Sequence, residues 1–281
     1  MSGMRTVKER GPVYAVVTFF CLFAAFPFFW MIITMFKQDQ DLYTPANNPF
    51  LFTRDPTLDH LDLLINDTSF LTFVQNSLLV GVCVVLITLV LCVPAAYSLG
   101  RIAGRWGEPL GIGIFLVYLV PPTLLFIPLS RIVAEVGLRD SVWALVLVYP
   151  GFTVPFCTWL LMGFLKSIPK DIEEQAMVDG YSRLQAIFRT VIPLAVPGIL
   201  TVVVFAFALT LHEFIYALSF IQASDQRTVG VGVPVELVRG DVFFWQSLMA
   251  ATVLVAIPLA IVYNFFLNRF IAGFTLGAVK G

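Results

Sequence analysis

Long apolar stretches alternate with short polar segments along this chain. A bilayer hydrocarbon core of about 30 Å needs roughly 20 consecutive apolar residues in a helix. The pattern therefore predicts an all-α integral membrane protein, with a single transmembrane domain covering residues 1–281. Its six predicted transmembrane helices are residues 13–36, 70–99, 110–129, 142–165, 194–221 and 248–270. The short link between the second and third helices makes these two antiparallel neighbours.

The Lys and Arg residues between the spans predict the orientation, because basic residues accumulate on the cytoplasmic side. If the N-terminus is cytoplasmic, eleven basic residues lie inside: Arg5, Lys8, Arg10, Arg101, Arg105, Lys166, Lys170, Arg183, Arg189, Arg269 and Lys280. Six then lie outside: Lys37, Arg54, Arg131, Arg139, Arg227 and Arg239. The excess predicts that both termini face the cytoplasm (N-in, C-in).

Composition agrees with a membrane location. Hydrophobic residues make up 59% of the chain, charged residues only 12%, and the mean hydropathy is +0.90. A soluble domain carries about 25% charged residues. The net charge of −1 gives no reason to expect a nucleic-acid partner. The high hydrophobic fraction predicts that membrane lipid surrounds the chain.

The segment between the fourth and fifth spans, residues 167–193, is the longest predicted cytoplasmic link. Asp171, Glu173 and Glu174 place negative charge near the N-terminus of a short helix, where the helix dipole favours it. Gly180 is suited to the left-handed conformation that ends such a helix. The pattern predicts a first short helix that stops at this glycine.

A second short helix is predicted directly after the glycine. Ser182, followed three residues later by Gln185, matches the capping box that begins a helix. Pro193 then marks the start of the next span. The result is a helix–Gly–helix elbow, which either docks into a groove on a soluble partner or is an ordinary interfacial loop.

The elbow resembles the coupling-loop signature of the inner-membrane permeases of bacterial ABC importers. That signature is Glu-Ala-Ala, three residues, Gly, about nine residues, and Ile-x-Leu-Pro. The positions that match it here are Glu174, Ala176, Gly180 and Pro193. Those that also fit the sugar-importer version are Glu173 and Asp179. The positions that depart from it are Gln175, Thr190 and Ile192.

Over its whole length the chain is similar to the shorter permease of the maltose-type carbohydrate uptake family. The further segments that carry this resemblance are Phe28–Met31, Asn76–Ser77, Pro121–Pro122 and the tail of residues 269–281. The resemblance implies a multi-pass subunit of the bacterial inner membrane that carries a sugar or sugar derivative. It also implies three kinds of partner: a second, different permease, two copies of an ATPase subunit, and an extracytoplasmic substrate-binding protein.

The resemblance further implies that this chain is a transport subunit and not an enzyme. The sequence lacks the Gly-x-x-x-x-Gly-Lys-[Ser/Thr] phosphate-binding motif. ATP and Mg²⁺ are therefore expected on the partner ATPase, with no cofactor on this chain. By resemblance, Ala176 makes close contact with the ATPase, Gly180 allows the turn, and Glu173 or Glu174 pairs with a basic residue. The residues expected to couple to the ATPase are Glu173, Glu174, Gln175, Ala176, Asp179, Gly180 and Pro193.

Polar residues inside membrane spans are expensive and often functional. His212 and Glu213, in the fifth span, are a candidate substrate-contacting pair, and packing against a neighbouring helix is the alternative. Pro121 and Pro122 remove backbone donors inside the third span, which either shapes a pathway or forms a structural kink. Asn76 completes the set of candidate pathway residues.

Two other functions are also compatible with the composition of a membrane protein. A secondary transporter or channel needs no ATPase, but it commonly has two similar halves, and no internal repeat is evident here. A membrane-embedded enzyme needs a reactive cluster. The two histidines, His60 and His212, are far apart in sequence, so no catalytic or metal site is predicted, and His60 is expected to be solvated.

Overall fold

The computed structural model describes the backbone of residues 2–278 and the side chains of residues 10–121 and 123–266. The α-helices are α1 Ser2–Met35, α2 Asp39–Leu42, α3 Asp59–Asn66, α4 Phe70–Tyr97, α5 Gly107–Tyr118, α6 Pro122–Glu135, α7 Val142–Val148, α8 Pro150–Ser167, α9 Lys170–Val178, α10 Arg183–Ala186, α11 Ile192–His212, α12 Ile215–Phe220, α13 Val229–Leu237 and α14 Trp245–Ala278. π turns occupy Ser98–Ile102 and Ile187–Val191, and 3₁₀ turns occupy Gly104–Trp106 and Ser224–Gln226.

A small β-hairpin is a departure from the all-α prediction. Strands β1 Val238–Arg239 and β2 Val242–Phe243 pair antiparallel, with Val238 opposite Phe243. Gly240, at the tip, has φ of +61°, which a glycine adopts without steric strain. The hairpin is too short to change the fold class, and the described chain remains a helical membrane protein.

The predicted number of membrane spans agrees with the helices. Within the described residues, five are long and apolar enough to cross a bilayer: Arg10–Met35, Phe70–Ile102, Val142–Ser167, Arg183–His212 and Trp245–Phe266. A bent helix pair, Gly104–Tyr118 with Thr123–Glu135, makes a sixth if it is counted as one span. The orientation of the spans stays a prediction.

The third predicted span is not one straight helix. Its two halves meet at an angle of 85°, because α5 ends at Tyr118 and Pro121 adopts an extended conformation with φ −59° and ψ 129°. Proline has no N–H to continue a helical hydrogen-bond ladder, yet it is well suited to a first helical turn. Pro122 accordingly begins α6.

The fifth predicted span, residues 194–221, is also interrupted. It ends as an α-helix at His212, and Glu213 has an extended backbone with ψ of 127°. A short helix, α12, then resumes at Ile215. The apolar pattern continues through Phe214 and beyond, so hydropathy alone did not reveal this break.

Residues 1–70 and 233–258 form one compact unit. An ion pair that is almost fully excluded from solvent organises its polar loop: Lys37 Nζ lies 3.3 Å from Asp41 Oδ2. The same ammonium donates to the Leu51 carbonyl at 2.5 Å, and Asp41 accepts from the Thr53 N–H at 3.2 Å and from Asn47 Nδ2 at 3.2 Å. Both charges thus have the hydrogen-bond partners that a buried pair requires.

These contacts change the pKa of Asp41. Burial acts to raise that pKa, but the hydrogen bonds from Thr53 and Lys37 and the positive charge of Lys37 lower it overall, below 3.8. His60 belongs to the same unit. Its Nε2 lies 3.0 Å from the Lys37 carbonyl, and its own carbonyl accepts from Ser247 at 3.1 Å. The prediction that His60 is simply solvated is therefore wrong.

Residues 71–232 and 259–281 form the second compact unit. The described part of its interior contains two hydrophobic clusters: one includes Val80, Leu145 and Tyr216, and the other joins α4, α8 and α11. Helices approach closely at Gly198, where an added Cβ would lie 2.6 Å from the Phe164 ring. Small residues allow this close approach between membrane helices.

Candidate functional site

The first short helix of the predicted elbow is ended by its glycine. α9 runs from Lys170 to Val178, and Gly180 has φ of +94°. The Tyr181 N–H donates to the Ala176 carbonyl at 3.1 Å, and the Gly180 N–H donates to the Met177 carbonyl at 3.1 Å. This pair of hydrogen bonds is the Schellman motif, which satisfies carbonyls at a helix C-terminus through a left-handed residue.

The second short helix begins with the predicted capping box. Gln185 N–H donates to Ser182 Oγ at 3.4 Å, and the Ser182 N–H donates to Gln185 Oε1 at 2.9 Å. α10 then passes through the π turn Ile187–Val191 directly into α11, with Pro193 in the first turn of that helix. The elbow is therefore joined to a long apolar helix without a flexible linker.

Apolar side chains are exposed on the elbow. The exposed fractions are 87% for Val178, 68% for Leu184 and 68% for Phe188. Of the residues expected to couple to the ATPase, those that are exposed are Glu174, Gln175, Asp179, Gly180 and Pro193. Those that are buried are Glu173 and Ala176. A surface that combines large apolar groups with carboxylates is suited to a partner groove.

Glu173 and Glu174 therefore differ, although the sequence treated them alike. Glu173 is only 6% exposed, and the Tyr97 hydroxyl of α4 donates a hydrogen bond to its Oε1. Glu174 is exposed to solvent. Only the second carboxylate is free to approach a basic residue on another subunit. Sequence analysis did not single out Tyr97, although a tyrosine inside an apolar run was a usable signal.

Glu213 stabilises the break in the fifth span. Its Oε1 accepts from the Tyr216 N–H at 2.9 Å, and its Oε2 accepts from the Ala217 N–H at 3.1 Å. These are N–H groups in the first turn of α12 that have no partner within the helix. Its Oε2 also accepts from the hydroxyl of Tyr149 at 2.7 Å. The carboxylate thus acts as a cap for α12 and links it to a residue that is 1% exposed.

The other candidate pathway residues occupy different local environments. His212 is exposed at the C-terminus of α11, and Pro121 is exposed at the bend between α5 and α6. Pro122 begins α6, and its side chain lies outside the described residues. Asn76 donates to the carbonyls of Asp225 at 2.8 Å and Arg227 at 3.0 Å, so it anchors the segment that precedes α13.

The first compact unit contains a cavity that sequence analysis did not predict. Its volume is about 790 Å³, and its lining includes Asp39, Asp59, Asp241, Tyr43 and Trp245. The lining is mixed: Gln246 Nε2 donates to Asp39 Oδ1 at 2.8 Å, while aromatic rings supply apolar surface. No grouping of His, Cys, Asp and Glu suited to a metal ion occurs within the residues that the structure describes.

Comparison with known proteins identifies the family. The profile described as "Binding-protein-dependent transport system inner membrane component" matches residues 92–275, more than half of the chain. The chain belongs to this family. It is therefore a permease subunit of an ABC importer in the inner membrane, and the sequence resemblance to such permeases is confirmed.

Curated relatives match nearly the full length of the chain. The diacetylchitobiose uptake system permease protein DasC of Streptomyces coelicolor is 33% identical over 270 residues, which cover 96% of each chain. The inner membrane ABC transporter permease protein YcjP of Escherichia coli is 32% identical over 283 residues, 100% of this chain and 99% of YcjP. The sulfoquinovosyl glycerol transport system permease protein SmoH of Agrobacterium fabrum is 34% identical over 257 residues, 91% and 89% of the two chains.

Solved structures share the fold. A bacterial ABC transporter involved in the import of the acidic polysaccharide alginate contains a chain that matches with a TM-score of 0.75. The identity is 22%, and the match covers 95% of this chain and 98% of that one. The alginate transporter in complex with an alginate pentasaccharide-bound periplasmic protein matches with a TM-score of 0.65 at 15% identity. At these identities the likeness supports the fold alone.

Proposed function

We propose that this chain forms half of the translocation pore of a bacterial importer for a sugar or sugar derivative. The names of its relatives support this substrate class, because they specify diacetylchitobiose, sulfoquinovosyl glycerol, and trehalose or maltose. These substrates differ in size and charge, but each contains a sugar unit. The common chemistry is therefore a carbohydrate, without a preference for one charge.

The observation that carries the proposal is the exposed elbow surface on a chain of this family. Val178, Leu184 and Phe188 are large apolar groups exposed at a turn that Gly180 and the capping box hold in shape. The exposed Glu174 lies on the same short helix as Val178. We assign this surface to the groove of a cytoplasmic ATPase, with Glu174 as the carboxylate that pairs with a base.

The proposed transporter consists of four kinds of subunit, including this chain. This chain pairs with a second, different permease; two ATPase copies bind beneath the pair and hold ATP and Mg²⁺; and an extracytoplasmic binding protein delivers the substrate. ATPase closure moves the elbow, and the attached spans α8 and α11 tilt with it. The pore then alternates between inward-facing and outward-facing states, with both termini of this chain in the cytoplasm.

The proposed substrate pathway includes the breaks in the third and fifth spans. Helix breaks at membrane depth persist where they line a cavity or are buried in protein. We assign His212 and the bend at Pro121–Pro122 to the pathway, because His212 and Pro121 are exposed beside these breaks. Glu213 and Asn76 serve it indirectly, by holding the backbone in place. His212→Gln should therefore raise the substrate KM for uptake without releasing the ATPase.

Co-purification tests the proposal directly. The tagged chain is extracted from native membranes in mild detergent, alongside Leu184→Glu and a matched control, Val136→Glu, which is 54% exposed at the end of α6. We expect the unaltered chain and the control to retain an ATPase and a second permease, while Leu184→Glu loses only the ATPase. Recovery of the unaltered chain alone, with and without nucleotide, would instead favour a secondary transporter or channel.

A further inference from the structure

The buried side of the elbow is attached to a span that is not its neighbour in sequence. α9 is covalently continuous with α8 on one side and with the turn leading to α10 and α11 on the other. Tyr97 ends α4, and its hydroxyl donates to Glu173 Oε1 on α9. This contact joins residues that are 76 positions apart and connects the elbow to the second span.

A second hydrogen bond strengthens the same connection. Arg101, in the π turn that follows α4, donates from Nη2 to the Ile168 carbonyl at 2.7 Å, just before α9 begins. Ala96 and Tyr97 also belong to one hydrophobic cluster with Leu165 and Ile168, and Ile172 of α9 packs against that cluster. Polar and apolar contacts therefore fix the base of α9 to the end of α4.

The hydrogen bond between Tyr97 and Glu173 is a strong one, because its acceptor is a buried carboxylate. A hydrogen bond to a carboxylate is roughly twice as strong as one between neutral groups, and at 6% exposure Glu173 has little access to water as a substitute. Glu173 is therefore committed to a partner inside this chain. One π turn, Ser98–Ile102, directly follows α4, and a second, Ile187–Val191, directly follows α10. π turns are often found at functional sites.

We propose that Glu173 and Tyr97 transmit movement of the elbow to the second span. Glu173 is a positioning residue: it does not contact the ATPase, but it makes α4 follow α9 when the ATPase moves the exposed side of the elbow. The second span thereby becomes a third moving element, beside α8 and α11. This inference rests on the proposed function, because it needs an ATPase that moves the elbow.

The test uses the complete transporter in proteoliposomes, with ATP and the ATPase in place and binding protein and sugar supplied on the other side. Uptake and ATP hydrolysis are measured together, which gives the sugar transported per ATP. Tyr97→Phe removes only the donor hydroxyl. The matched control, Tyr14→Phe, makes the same change on an exposed residue of α1.

We expect Tyr97→Phe to lower the transport per ATP by about 30-fold, the factor for losing one hydrogen bond to a charged group. A probe attached at the exposed Ile102, just after α4, should show a smaller ATP-dependent spectroscopic change in the same variant, since Arg101 keeps its hydrogen bond to Ile168. A wild-type ratio, or an undiminished ATP-dependent change at Ile102, would overturn the inference.

A second variant separates transmission from simple stabilisation. Tyr97→Phe combined with Glu173→Met removes both polar partners, so no buried group is left unpaired, and folding is expected to be preserved. A transmission role predicts that this double variant assembles and still transports poorly per ATP. If it regains the wild-type ratio, the pair only stabilises the fold. If the unaltered transporter shows no ATP-dependent sugar uptake, the proposed function itself fails.

Discussion

The hydrogen bonds around Glu213 make a quantitative prediction about the broken fifth span. Tyr149 is 1% exposed and donates to Glu213 Oε2 at 2.7 Å, so water cannot replace it in Tyr149→Phe. Loss of one hydrogen bond to a charged group lowers the free energy of unfolding by about 2 kcal/mol. Glu213→Ala removes the acceptor of three hydrogen bonds, one from the tyrosine hydroxyl and two from N–H groups of α12, and we expect it to lower the free energy of unfolding by about 4 kcal/mol.

A double-mutant cycle isolates the contact itself. If the two residues stabilise the fold through one shared hydrogen bond, the double variant should be no less stable than Glu213→Ala, with an interaction energy of about 2 kcal/mol. Unfolding is followed by titration with SDS in mixed micelles. The control is Tyr118→Phe. The ring of Tyr118 packs against Phe115 and Phe156, and its hydroxyl makes no hydrogen bond to the residues that the structure describes.

The outcome also bears on the role of Glu213. Strictly additive losses, or a Tyr149→Phe variant within about 0.5 kcal/mol of the unaltered protein, would refute the reasoning, because surface-type effects are of that size. Glu213 would then stabilise the fold only through its two hydrogen bonds to the N–H groups of α12. A substrate-contacting role would then become the better explanation of a half-buried carboxylate in this span.

Three further predictions concern separate parts of the chain. Gly180→Val should abolish transport without preventing membrane insertion, because φ of +94° strains a residue that carries a side chain by about 1–2 kcal/mol. Uptake assays and membrane fractionation check this. The control is Gly163→Val, where an added Cβ likewise meets no atom within 4 Å. Gly198→Ala should destabilise the protein by about 1–3 kcal/mol in SDS titration, because its Cβ would overlap the Phe164 ring. The folded-state pKa of Asp41 lies below 3.8, so its ionised form stabilises its loop above that pH. The stabilisation is lost as pH falls through the folded-state pKa. Hydrogen exchange should show this loss of protection in the unaltered protein, whereas Asp41→Asn should show no such dependence on pH.

Each of the predictions on Asp41, Gly180 and Gly198 has a result that would contradict it. Equal protection factors for residues 39–53 in the unaltered protein and in Asp41→Asn at pH 6 would contradict a stabilising role for the ionised Asp41. A fully active Gly180→Val variant would remove the elbow from the mechanism. An unchanged SDS midpoint for Gly198→Ala would mean that α8 and α11 adjust to a methyl group without loss.

Local features of the elbow could be predicted from the sequence because their causes are local. The capping box depends on Ser182 and Gln185, three positions apart, and the helix end depends on the left-handed conformation of Gly180. Each needs only side chains and backbone within one turn. The bend after Tyr118 was similarly indicated, because two consecutive prolines remove two adjacent backbone donors.

The roles of individual carboxylates could not be predicted in this way. Glu173 and Glu174 are adjacent in sequence, yet only Glu173 is buried, because Tyr97 reaches it from α4. Glu213 was singled out as a polar residue in a span, but its use as a cap depends on where Tyr149 lies. Lys37 was counted only as a basic residue outside the membrane, and the burial of its ion pair with Asp41 depends on how the residues up to Thr53 fold around the two side chains.

The sequence by itself determined that this protein is a helical membrane permease, because long apolar runs need lipid and the elbow signature is continuous in the chain. Only the tertiary structure decided which polar side chains are exposed and which are committed to internal partners. The reason is physical: hydrophobicity is summed along a segment and can be read in order, whereas a hydrogen bond needs two groups within about 3 Å. Tyr97 and Glu173, like Tyr149 and Glu213, are far apart in the chain and meet only after the helices have packed.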